Sequence, residues 1–348
     1  VIDFRYHLVS IVAVFLALAI GIVLGSTTEL RGGALELLQQ SSNSLKNQLN
    51  AAQAQSDGYH AQAAAGEQFL QTAEPRLLAK LLDGDSVVIV TEPGAQGSVV
   101  DGIKQAATLA GATVTGEVAL QPKFNDISGA TQSNLSSINN SVASAYGTAL
   151  TAGTDPQTAY QQQAAQLIAS AILTKTTVQN AAAPNPQTLL SAYAQGGYLT
   201  ASPSGAPAVP AELAVLVTPQ SAPADGPDDP ANQVLLAVAQ EFAGASSATV
   251  VAGGTTGSAQ SGSAISVLRS SSVSSQVSSV DDADTTLGQI TVVQALAAQL
   301  AGAKPNSYGI SGASAVSPVP MPTPTVSATV TQTPPPKQTT TRKAGTKK

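Results

Sequence analysis

Residues 8–24 read LVSIVAVFLALAIGIVL, seventeen positions with no charge and Ser10 as the one polar side chain. With Gly25 the run reaches the short end of the roughly 17–25 apolar residues that a helix needs to span a bilayer. Nothing else in the chain matches its hydrophobicity, so membrane insertion of residues 8–25 is the first expectation.

Such a run is either a secretory signal that is cleaved or an anchor that stays. Val23 and Gly25 are small enough for a processing site, with Ser26 as the new N-terminus. The run is longer than the usual signal core and its basic flank is thin, Arg5 with His7 nearby, which favours a retained anchor. Ala13, Ala17, Gly21 and Gly25 recur every four residues and share one helix face, where small side chains let a second helix approach closely. Ordinary abundance of Ala and Gly in membrane helices explains them equally simply. Basic residues barely separate the two flanks, Arg5 before and Arg31 after. The long, lysine-poor remainder places residues 26 onward outside the cytoplasm.

Beyond the anchor, residues 35–77 carry small or apolar side chains at alternating spacings of three and four, the heptad pattern. Leu35, Leu38, Leu45, Leu49, Ala52, Tyr59 and Leu70 form its seam, weakened by Ser42, Ser56 and Gly66. A short coiled coil that holds a homodimer is expected, against the alternative of a helix packed on its own domain. Pro75 should kink this helix or start a new one at Glu74-Pro75 that ends near Leu82.

The next two hundred residues alternate short β-branched runs with helical patterns. SVVIVT at 86–91 reads as a buried parallel strand. Helix 99–110 follows, with Gly111 as its stop, and then strand 112–120. Further helices fall at 160–173, 233–242 with Gly244 after it, and 286–300 with Asp284 as N-cap. Further strands fall at 213–217 and 248–251, and edge strands at 265–268 and 277–280. Alternation of this kind argues for a Rossmann-like α/β layer fold with a mostly parallel sheet. Residues 121–158 and 176–212 read as polar insertions, the first partly helical. From residue 304 the chain turns Pro- and Thr-rich, and a segment that cannot bury enough apolar surface stays disordered. The organisation expected is a tail over 1–7, an anchor over 8–25, a stalk over 26–77, an extracytoplasmic α/β domain over 78–303 and a basic tail over 304–348.

Charge sharpens that division. The tail holds six of the 15 Lys and Arg and no acid, which leaves nine basic and 21 acidic residues in 1–303. An acidic body with a basic tail points to different partners at the two ends, and not to nucleic acid, which needs a basic patch on the fold itself. The chain has no cysteine, so disulfides and thiolate metal sites are out.

Chemistry-bearing patterns are sparse. The loop TEPGAQGS at 91–98 has Gly94 and Gly97 but not the GxGxxG of a dinucleotide site, so its glycines suit a tight turn. Glu92 stands where open α/β sheets place functional groups, at the carboxyl end of the first strand. Asp281, Asp282 and Asp284 are the one dense acidic cluster; they suit a helix start, or a cation if folded around it. Asp225, Asp228 and Asp229 lie among prolines in a solvated loop. His7 lies beside the anchor and His60 on the stalk. With no Cys and no GxSxG elbow, the reading is a protein that is not an enzyme, with no catalytic or cofactor-binding residue and no cofactor assigned.

The opening DFRYHLVSIVAVFLALAIGIVLGS at 3–26 resembles that of the mycobacterial copper transport protein family, the MctB-like proteins. The order that follows resembles it too: a helical stalk, SVVIVTEPG, and SVDDADTTLGQITVVQALAAQLAG at 279–302. The resemblance covers roughly residues 3–309. It implies an envelope protein, in the outer membrane, acting in copper efflux as a channel or channel component. Relatives linked to cell separation imply the alternative, an anchored scaffold that binds a membrane or cell-wall protein. An inner-membrane anchor suits the residues equally well. Copper is implied by the resemblance alone. Copper(I) prefers thiolate and thioether ligands and copper(II) accepts imidazole; here one Met, Met321, lies in the tail and two His lie outside the α/β region. No residue carries over as a ligand. The partners expected are a lipid bilayer, a second copy of the chain and an envelope protein.

Overall fold

The apolar run folds as helix α1 (Phe4–Thr28), and helix α2 (Leu30–Leu78) follows it. The computed structural model describes residues 4–318 except 29, 154, 176–184, 202–206 and 208; the side chains of 4–8, 26–28 and 30–37 also lie outside the description. The chain divides into two units, residues 1–68 and 69–348. In the first, every described side chain up to Gly66 is exposed. The helix expected over 8–25 is present. Among the described residues, however, no helix is long and apolar enough to cross a membrane.

No new helix starts at Pro75: α2 runs through it and ends at Leu78, short of Leu82. Pro75 sits in the last turn of the helix, where its ring removes one backbone donor and only three residues follow before the end. Residues 79–84 are turn, with Lys80 and Gly84 both at positive φ.

The second unit alternates strands and helices. In chain order they are β1 (Ser86–Thr91), α3 (Gly97–Leu109), β2 (Thr113–Leu120), α4 (Gly129–Tyr146), α5 (Ala159–Ile172), α6 (Pro186–Gln195) and β3 (Leu199–Ala201). There follow β4 (Leu213–Val217), α7 (Pro230–Ala245), β5 (Ala248–Ala252), α8 (Thr255–Ser258), α9 (Ala264–Ser270), β6 (Ser278–Val280), α10 (Thr286–Leu300) and β7 (Ser307–Tyr308). The strands stand in the order β3-β2-β1-β4-β5-β6-β7, all pairing parallel except β3, which runs antiparallel to β2.

The central strands are apolar along their whole length because both of their faces are covered. Val88, Val90, Ala214 and Leu216 pack into a core that takes in α4, α5, α6, α7 and α9. Val87, Ile89, Leu213, Val215 and Val217 pack on the other side with α3 and α10. The result is a sheet between two helical layers, as the alternation of elements predicts.

Several local expectations are corrected. Ile265–Leu268 is not a strand but the body of α9: Ser263 Oγ caps it by accepting from Ser266 N, and Ala264, Ile265 and Leu268 are buried along one helical face. The segment 277–280 is a strand but not an edge, since β7 pairs outside it. Gly244 lies inside α7, which continues to Ala245. The N-cap of α10 is Thr285, whose hydroxyl accepts from Gly288 N, and not Asp284. The two insertions build much of the larger core. Phe124, Leu135, Leu189, Tyr193 and Tyr198 are all buried there. Tyr193 OH donates to Asn139 Oδ1 at 2.9 Å and Tyr198 OH to Thr131 O at 2.9 Å.

Structure also persists past residue 304. Asp281, fully buried, accepts from Arg269 Nη1 (2.7 Å), Ile310 N (2.7 Å) and Ser311 N (2.8 Å). Arg269 spends its other donors on Ser279 Oγ, Tyr308 O and Ser311 O. This clamp holds the segment after α10 against β6. Gly309, at φ +121, is required beside it, since a Cβ there would collide with the Asp281 carboxylate. The expectation of disorder from 304 therefore fails for 304–318. The remainder of the proposed tail, with Met321, lies outside the described residues.

Candidate functional site

β1 and β4 are neighbours, yet the chain leaves them toward opposite faces. After β1 it enters α3, in the layer with α10; after β4 it enters α7, in the layer with α5. The crevice outside the carboxyl ends of two such strands is where open α/β sheets bind ligands.

Glu92 follows β1 directly, and its N–H donates to Val217 O at 2.9 Å, tying the end of β1 to β4. Its side chain is 6 % exposed and lines a cavity of about 190 Å³ in this crevice. Its Oε1 has no hydrogen-bond partner. Burial alone pushes its carboxyl up to about 8, because a charge there loses its water without gaining a counter-charge. Gly94, at φ +90, makes the turn expected of the 91–98 loop, and it passes so close to Pro219 that a Cβ at Gly94 would lie 3.3 Å from the proline ring. With Ser221 and Asn232, Asn125 makes up the rest of the polar lining. It follows a 3₁₀ turn at Pro122–Phe124, and its Oδ1 is buried without a partner.

The far wall comes from the loop into α7 and the start of α9. Asn232, 2 % exposed, holds these together, with Nδ2 donating to Gly226 O (3.0 Å), Pro227 O (3.3 Å) and Gly262 O (3.0 Å). Asp229 is not a merely solvated residue of the 225–229 loop; it caps α7 by accepting from Ala231 N. Asp225 and Asp228 are exposed.

The acidic cluster at 281–284 does not converge on one point. Asp281 is taken up by Arg269 and two backbone N–H groups. Asp284 Oδ1 accepts from Thr255 N and Oγ1, across to the start of α8. Asp282 is buried, its Oδ1 has no partner, and burial, with Asp281 beside it, raises its carboxyl to about 6. Among the described residues, no group of three or more His, Cys, Asp and Glu side chains could hold a metal ion.

On α1, Ala13, Ala17, Gly21 and Gly25 are all exposed, and a Cβ added at either glycine would meet nothing. On α2, Leu38, Leu45, Leu49, Ala52 and Tyr59 are exposed, Leu45 at 68 %. Leu70 differs: it is half-buried against the core shared by α3 and α10. The side chain of Leu35 lies outside the described residues.

Sequence reasoning found Glu92 by its place at a strand end. It missed Asn125, more than thirty residues away and in a segment read as a polar insertion, and nothing local marks that residue. It also missed the Arg269–Asp281 clamp, whose members carry no motif.

Comparison with known proteins places the whole arrangement in context. The family model for "Copper transport outer membrane protein, MctB" matches residues 1–320. The copper transporter MctB of Mycobacterium tuberculosis (strain ATCC 25618 / H37Rv) is 30 % identical over 314 residues, 88 % of this chain and 96 % of the relative. The copper transporter MctB of Mycobacterium leprae (strain TN) is 29 % identical over 329 residues, 91 % of this chain and 99 % of the relative.

Proposed function

Because the chain belongs to the copper transport outer membrane protein family, MctB, we propose that it is a non-enzymatic envelope protein that contributes to copper efflux as an anchored component of a channel assembly. One observation carries the anchored part of this reading: on α1 the apolar side chains from Val9 to Leu24 are exposed, Phe15 at 66 %. Leaving so much apolar surface in water is unfavourable by about 25 cal/mol per Å², so a bilayer or a partner helix covers it. A single helix has no lumen. Conduction therefore needs further copies or another protein, and the small face of Ala13, Ala17, Gly21 and Gly25 suits close helix contact. Copper is the cargo in this reading and not a resident cofactor, which fits a chain with no Cys, one Met and two His.

Deletion of the protein should raise cellular copper under copper load, and the intact chain should restore it. Leu18→Arg, at a cost of about 3 kcal/mol of insertion, should abolish both integral-membrane fractionation and rescue. Copper levels indifferent to the deletion would refute the transport role. Unchanged fractionation of the variant would refute the anchor.

The exposed seam on α2 supports a second reading, an anchored coiled-coil scaffold for an envelope or cell-separation partner. In-cell crosslinking through residues 38–59 should then capture a second copy of the chain or one dominant membrane or wall protein. Capture of neither would exclude it.

A further inference from the structure

We propose that the crevice at the carboxyl ends of β1 and β4 is a binding site for a small aliphatic primary ammonium ion, with Glu92 as its counter-ion and Asn125 as a second acceptor. Nothing in copper transport requires such a site, and the proposal stands apart from that reading.

The lining selects the ligand class. Two side-chain oxygens, Glu92 Oε1 and Asn125 Oδ1, are buried without partners. Buried polar atoms are nearly always satisfied, so two orphans on residues that line one cavity mark a missing donor. Free donors are few in the walls: the Asn125 amide NH2 and the exposed Ser221, with the proton of the neutral Glu92 carboxyl. Pro93, Pro219 and Pro223 have no N–H. The N–H of Glu92 goes to Val217 O, that of Asn125 to Pro122 O and that of Asn232 to Asp229 O. Ala222 N donates to Gln260 Oε1 and Ala231 N to Asp229 Oδ1, and the Asn232 amide is spent on three carbonyls. An anion would meet the buried Glu92 carboxyl and, among the described lining residues, no cationic side chain. An ammonium group brings three donors and the charge that a buried carboxylate needs.

Size and the rest of the wall narrow the class. The volume of about 190 Å³ is below the roughly 300–1,000 Å³ of pockets for drug-sized ligands. Proline rings and alanine methyls, with the exposed Ser221, line the remainder, which suits a short alkyl body. Two oxygens fall well short of the six to eight that calcium takes, and neither is a soft ligand for copper(I).

Among the described residues, Glu92 is the sole titratable side chain lining the crevice. Charged groups on the surrounding elements are engaged elsewhere or exposed. Lys123 donates to Gly196 O, Asp126 accepts from Ser128 and Thr131, Asp229 caps α7, Arg269 holds Asp281, and Asp225, Asp228 and Asp101 are exposed. None of them contributes to the shift on Glu92, which burial alone produces. A cation entering the crevice therefore binds the ionised carboxylate and expels its proton.

The test is calorimetry on the full chain in detergent, with n-butylammonium as probe and n-butanol and butyrate as isosteric controls. Butylammonium should bind saturably, one per chain, below about 10 mM, the millimolar range of a single small-ligand contact. Butanol and butyrate should not. Titrations in two buffers of different ionisation heat should show close to one proton released per ligand at pH 7. Affinity should rise about tenfold per pH unit up to about pH 8 and then level. Glu92→Gln should weaken binding at least tenfold and abolish proton release. Glu92→Asp, which keeps the charge, should keep the release at reduced affinity. Ala264→Leu should block binding by filling the cavity with Glu92 intact. The proposal is overturned by absence of saturable butylammonium binding, by equal binding of butanol or butyrate, or by Glu92→Gln binding as tightly as the parent.

Discussion

Replacing Glu92 with glutamine should stabilise this protein, and by an amount that depends on pH. The carboxyl titrates near 4.5 in the unfolded chain and at about 8 in the fold. Below pH 4.5 it is protonated in both states, and Glu and Gln are closely matched in shape and charge. Between 4.5 and 8 the unfolded chain ionises while the folded one holds its proton, so folding must recapture a proton that the solution makes ever scarcer. Stability then falls by about 1.4 kcal/mol for each pH unit. The accumulated loss is about 3 kcal/mol at pH 7, approaches about 5 kcal/mol at pH 8, and is level beyond. The amide side chain of the variant does not titrate and has no such loss. Urea unfolding, followed by the near-ultraviolet circular dichroism of the tyrosines, reads this directly, since Tyr193 and Tyr198 are fully buried in the core. Glu92→Gln and the parent should unfold at the same urea concentration at pH 4.5, and the variant should pull ahead steadily to pH 8. A gap that is constant across this range, or absent at pH 7, would refute a neutral buried carboxyl at the head of β1.

Other expectations follow from the same geometry. Arg269→Met leaves the buried Asp281 carboxylate without its partner and should cost about 3–5 kcal/mol, with new proteolytic cleavage between residues 302 and 315 as the local signature; a melting temperature equal to that of the parent would argue against the clamp. Changing Leu45 and Leu49 together to Ser removes two exposed seam residues worth about 1.5–3 kcal/mol each when buried in a partner. A dimeric chain lacking residues 1–29 should become monomeric by analytical ultracentrifugation while its tyrosine dichroism is unchanged, and a parent already monomeric at high concentration would exclude self-association through α2. Leu18→Arg, with fractionation as the readout, tests the anchor independently of both.

Residues 8–25 announce a helix through their lack of charge, and no tertiary contact is needed to see it. The runs SVVIVT, LAVLV and ATVVA announce buried strands through β-branching and short length, and residues 286–300 a helix through their periodicity. Glu92 was legible for the same reason: once a strand ends at Thr91 in an alternating pattern, the next residue lies at the sheet's carboxyl edge. These are properties of consecutive residues, and local chemistry is enough to decide them. What local chemistry left open was decided by contacts between distant segments. Ile265–Leu268 has a strand's composition, yet it folds as a helix because Ser263 caps it and its apolar face lies over the larger core. Segment 304–318 has a disordered tail's composition, yet it is held because Asp281 and Arg269 satisfy its backbone from another part of the chain. The crevice itself exists because β1 and β4, more than a hundred residues apart, lie side by side and send their helices to opposite faces. Glu92 and Asn125 are ordinary polar residues in the sequence; lining one crevice with buried, unpartnered oxygens is a fact of the tertiary structure, since the loss of water that makes them unusual occurs only when the walls close around them.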